Sequence, residues 1–108
     1  MSVGLYKYDG NIYDDADEIL SETIASQKMY DKYLSFAIEE LGILYFQDGA
    51  EIKLENLENV LSEIKLLLNW VQNKVEGEDK KILSDRLIHI SEVIEDSLKT
   101  KDDILYIF

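Results

Sequence analysis

The pattern that ties this chain most tightly to one kind of fold is a stripe. Leu57, Val60, Leu61, Ile64, Leu67, Leu68, Val71 and Val75 fall at i, i+3, i+4, i+7, i+10, i+11, i+14 and i+18. Residues of an α-helix turn by about 100° each, so these side chains line one side and must be covered by other apolar groups. Trp70 lies beside the stripe, where it is expected to seal the edge. Gly77 ends this helix, and Glu78 to Leu98 repeats the pattern with Leu83, Leu87, Ile90, Ile94 and Leu98 on the inner side. Two long amphipathic helices are therefore expected here, and the absence of proline suits them.

A third helix is expected from about Ala16 to Leu41. Ile19, Leu20, Ile24, Tyr30, Leu34, Ala37, Ile38 and Leu41 keep close to the helical period. Asp15 reads as its N-cap, Glu18 sits three residues on as in a capping box, and Asp17 suits the positive end of the helix dipole. The register is weakest at Ser26-Gln27-Lys28, where a kink or a break is expected; Gly42 is the stop.

The remaining segments read as short strands. Val3-Gly4-Leu5-Tyr6-Lys7-Tyr8 is rich in β-formers, Asp9-Gly10-Asn11 is a turn signal, and Ile12-Tyr13 begins a return strand. Residues 43–54 read as a second hairpin around Asp48-Gly49, with a core-covering loop as the alternative. Ile104-Leu105-Tyr106-Ile107-Phe108 is too apolar to hang free in water, so it is a last strand, a core plug or a binding surface. The expected fold is mainly α (α+β): three long helices packed with a small sheet, in a single domain over residues 1–108. An all-α bundle with irregular ends is the alternative.

With hydrophobic residues at 46%, the chain has enough apolar material for one core. It contains no cysteine, which removes disulfides and thiolate metal sites and fits a reducing, cytoplasmic setting. No signal peptide is legible at the N-terminus, and no apolar run approaches the roughly 20 residues of a membrane-spanning helix.

A search for chemistry returns little. The one histidine, His89, stands next to the inner side of its helix without a nucleophile or orienting partner nearby in sequence. One imidazole without thiolates cannot make a zinc site. A calcium loop beginning at Asp9 fails, because Asp14 occupies the glycine position and Leu20 the final glutamate position. Glu39-Glu40 and the Glu55, Glu58 pair lack the Glu-x-x-His pattern of di-iron bundles. The five glycines are isolated, with no phosphate loop. Asp96-Ser97-Leu98 is the tripeptide around the modified serine of acyl carrier proteins, but there the serine opens a helix and here it closes one. No enzyme, cofactor or metal is expected.

What stands out is charge. Against 11 basic residues there are 23 acidic ones, a net charge of −12. Such a surface repels phosphate backbones and anionic lipids, so direct contact with nucleic acid or membrane is not expected, and it attracts basic proteins. The excess is local: residues 1–18 carry one lysine against five acids, and residues 39–58 one lysine against six. Tyrosines 6, 8, 13 and 45 are interleaved with these acids, and tyrosine supplies contact area at low entropic cost.

In size, charge and lack of reactive groups the chain resembles, in type and not by motif, the immunity proteins of bacterial toxin systems. That resemblance implies a protein-binding inhibitor that covers the substrate-binding surface of a basic toxin, a nuclease above all. Expected steering residues are Asp9, Asp14, Asp15, Asp17, Asp48 and Glu51, with Tyr8, Tyr13 and Tyr45 as anchors. The alternatives are a phage-encoded nucleic-acid mimic that inhibits a defence nuclease, a dimeric secretion chaperone, or an assembly subunit docked through its apolar tail.

Overall fold

The computed structural model describes residues 2–9 and 17–108. Along the chain these are strand β1 (Ser2–Asp9), strand β2 (Asp17–Ser26), helix α1 (27–41), strand β3 (Glu51–Lys53), helix α2 (Leu57–Lys74), helix α3 (Gly77–Ser97) and strand β4 (Ile104–Ile107). The strands form one antiparallel sheet in the order β2-β1-β4-β3, and the helices cover one of its faces. The fold is therefore α+β, and an all-α bundle is not favoured. Among the described residues no helix is long and apolar enough to cross a membrane.

Helices α2 and α3 follow the sequence expectation. Val60, Ile64, Leu67, Val71 and Val75 are buried from one side, Leu83, Leu87, Ile90, Ile94 and Leu98 from the other. Trp70 packs at the edge of this core, its indole N–H donating to the Glu40 carboxylate. Ile104–Ile107 is a strand, and it occupies an inner position between β1 and β3.

The segment expected to open the first helix is instead a strand. β2 runs Asp17–Ser26 and pairs with the whole of β1, from Ser2↔Ser26 to Asp9↔Asp17. The register shifts between Val3 and Gly4 and again between Lys7 and Tyr8. A bulge puts two residues of one strand opposite one of the other, which breaks the period-2 alternation. Ile24 and its neighbour Ala25 are consequently both buried, a spacing that imitates a helix stripe. Glu18 is thus a strand residue and caps nothing; Asp15 and the expected turn and strand start at residues 10–13 lie outside the described residues. The actual cap is Ser26, whose hydroxyl accepts the Met29 N–H at 3.1 Å, at the point where the register is weakest in sequence. From there α1 widens into a π-helical stretch over Tyr30–Leu34 and finishes as α-helix over Ser35–Leu41. Gly42, at φ 68°, ends it in the left-handed conformation.

Residues 43–54 are likewise not a hairpin. Ile43 and Phe46 are buried under a loop whose N–H groups have found a carboxylate: Glu63 of α2 accepts from Leu44 at 2.8 Å, Tyr45 at 3.1 Å and Phe46 at 2.9 Å. With those donors satisfied, the segment needs no partner strand. Glu51–Lys53 is a strand paired with β4, and Gly49 and Ala50 just before it also exchange backbone hydrogen bonds with Ile107.

Candidate binding face

Alternation along a strand divides the sheet into two unlike faces. Toward the helices point Val3 and Leu5 of β1, Ile52 of β3, and Leu105 and Ile107 of β4, all buried. Lys7 also points inward. Its ammonium sits 2.8 Å from Asp103 Oδ1 and donates to the Ser97 carbonyl at 3.0 Å, tying the end of α3 to the sheet. The Lys7 ammonium, together with the N–H groups of Lys99 and Thr100, holds the Asp103 carboxyl well below the usual carboxylate range. Glu22 reaches His89 of α3 at 3.2 Å from the same side, which gives the histidine a structural partner.

The other face is aromatic. Tyr6 and Tyr8 of β1 meet Tyr106 of β4 and Phe108 just beyond it. Tyr6 stacks on Phe108 with ring centroids 4.5 Å apart and planes 18° apart. Tyr8 lies near-parallel to Tyr6 at 6.3 Å and edge-on to Tyr106 at 6.0 Å. Gly4 makes room for this strip: a Cβ there would stand 2.8 Å from the Tyr6 hydroxyl oxygen and 2.9 Å from its ring. The Gly4 backbone exchanges hydrogen bonds with Phe108, at 2.8 and 3.1 Å, which fixes the ring pair in register.

Acids flank the strip on both sides. Glu18 of β2 is the register partner of Tyr8, and Glu51 of β3 that of Tyr106. Both carboxylates are on exposed residues. The Tyr8 hydroxyl is pushed above its ordinary pKa, first by loss of water and then by the negative charge of Glu18.

The described site residues predicted from sequence fall in four settings. Tyr8 and Glu51 stand on the aromatic face, and the backbone of Asp9 and Asp17 pairs at the end of the β1–β2 ladder. Asp48 is exposed in the turn beside the end of β4, its N–H donating to the buried Tyr30 hydroxyl at 2.9 Å. Tyr45 belongs to the Glu63-bound loop and packs against the core. Tyr13, Asp14 and Asp15 lie outside the described residues. Sequence reasoning offers residues 104–108 as a candidate binding surface but does not single out Tyr106 and Phe108. The signal for them was present, since aromatic residues take every second position in Leu105-Tyr106-Ile107-Phe108 as they do in Leu5-Tyr6-Lys7-Tyr8.

A second exposed region lies on the helical side, an open groove of about 520 Å³ lined by Phe36, Glu39, Glu40, Trp70 and Lys74. Phe36 is 62% exposed there. Among the described residues no group of three or more histidine, cysteine, aspartate or glutamate side chains could hold a metal ion. No protein-family model, curated protein or solved structure matches the chain.

Proposed function

We propose that this chain works by binding a basic protein through the open face of its sheet, as an inhibitor of the immunity-protein type that covers the substrate-binding surface of a toxin, a nuclease above all. The observation that carries this reading is the strip of Tyr6, Tyr8, Tyr106 and Phe108 set between Glu18 and Glu51. Aromatic rings on a rigid sheet give contact area with little entropy left to lose, and the flanking acids favour a partner of opposite sign. The net charge of −12 steers such a partner in from a distance and disfavours nucleic acid as the direct ligand. The groove beside Trp70 fits this reading less well, because Lys74 stands among its acids.

The test is affinity capture at low and high salt, repeated with a Tyr6→Ser, Tyr8→Ser double variant. The captured protein should be basic, should be held at low salt and weakened at high salt, and should escape the variant. Expressed alone it should be toxic, and this chain should relieve the toxicity. A salt-insensitive partner, or only a second copy of the chain, would turn the reading toward a chaperone or an assembly subunit.

A further inference from the structure

A face that attracts basic proteins in general would need only scattered carboxylates. Here the arrangement is more specific, because one ring and one carboxylate are paired across neighbouring strands. Tyr6 is already stacked on Phe108 at 4.5 Å, whereas Tyr8 lies 6.3 Å from Tyr6 and meets Tyr106 edge-on. Tyr8 is thus stacked more loosely than Tyr6, in the wider of the two ring pairs, which leaves more of its ring open to a ligand. Glu18 is its cross-strand partner and close enough for its charge to be felt at the Tyr8 hydroxyl. On the far side of the sheet Glu51 stands opposite Tyr106, but Lys53 follows two residues along the same strand and face, which makes that end less welcoming to a cation.

The geometry points to an arginine side chain of the partner as the group this strip takes up, its guanidinium lying on the Tyr8 ring beside Tyr6 and its N–H groups turned toward Glu18. Guanidinium is flat, weakly hydrated and always charged, so it stacks on an aromatic face and forks onto a carboxylate at once. A lysine ammonium carries the same charge but is compact and strongly hydrated, and loses more on leaving water for a ring. This inference rests on the proposed basic partner and adds a preference: arginine over lysine, at Tyr8.

The probes are an arginine hexapeptide and a lysine hexapeptide, titrated at one ionic strength while the aromatic resonances of the tyrosines are followed by NMR. The arginine peptide should shift Tyr6 and Tyr8 and bind about two- to five-fold more tightly than the lysine peptide. Tyr8→Leu should erase that preference, Tyr8→Phe should keep it, and Glu18→Gln should weaken both peptides. A circular-dichroism melt of each variant establishes that it is folded. Equal affinity for the two peptides, or a preference that survives Tyr8→Leu, overturns the arginine site while leaving a basic partner in place. Binding of neither peptide overturns it as well, and the basic partner itself then stands or falls on the salt dependence of capture.

Discussion

Leu5 and Tyr6 are neighbours in the chain and stand on opposite faces of one sheet. Leu5 is fully buried, in a layer closed by three helices and bolted by the Lys7–Asp103 pair. Tyr6 faces outward and is covered only in part, by Phe108 and by the backbone of Gly4. The same hydrogen-bonded ladder serves both. The difference teaches that a strand can keep the core on one side and leave the other open for the proposed recognition, provided the outer side chains do not carry the fold. Substitutions should then sort by face, and each of the following is a way to break that division or sharpen it.

Leu105→Ala should be the costliest. It empties a fully buried position in an inner strand, and a loss of about 2–5 kcal/mol in denaturant unfolding is expected. Glu63→Gln comes next, since one carboxylate satisfies three backbone donors of the 44–46 loop; a loss of about 1–3 kcal/mol is expected, with exchange protection lost at those amides. On the open face, Phe108→Ala should cost only about 0.5–1.5 kcal/mol for the lost ring pair, while weakening partner association more than either inner change. An open-face substitution as costly as Leu105→Ala would end the division between the faces.

The smallest effect belongs to acid pH. The Asp103 pKa is lowered in the folded protein, so its contribution is fully present above the ordinary carboxylate value of about 4. It is lost as the pH falls from there through the depressed folded value. Lys7→Met should flatten that part of the stability profile in a urea titration run from neutral pH downward. An unchanged profile would show that the bolt between α3 and the sheet contributes nothing measurable.

What could be read in the sequence follows the range over which each element is determined. Helices α2 and α3 bury stripes whose period is local, and every inner position of α3 named from the pattern is buried. Strand β2 was illegible for a physical reason: its partner is another segment, and two register shifts erase the alternation that would have marked it. Ile19, Leu20 and Ile24 then fitted a helix by default, although Ile19 is 58% exposed. At 43–46 the core-covering loop holds and the hairpin does not, because the carboxylate that replaces a partner strand lies 17 residues further along the chain from Phe46. Of the candidate face, the tyrosines of β1 and the acid Glu51 were visible as types. Their assembly with Tyr106 and Phe108 depends on β1 pairing with β4, which no local pattern encodes.

That pairing also sets an order of events during folding. Strand β3 has β4 as its sheet neighbour, and β1 meets β4 only after the chain closes a loop from Leu5 to Ile107. Closing about a hundred residues costs about 4 kcal/mol in chain entropy before any contact offsets it. The helical pair and the β1–β2 ladder can form early from neighbours in sequence, but β3 can join them only once residues 104–108 have left the ribosome. The strand that completes the core therefore also delivers half of the aromatic strip, so a chain made only as far as α3 has Tyr6 and Tyr8 without Tyr106 and Phe108 beside them.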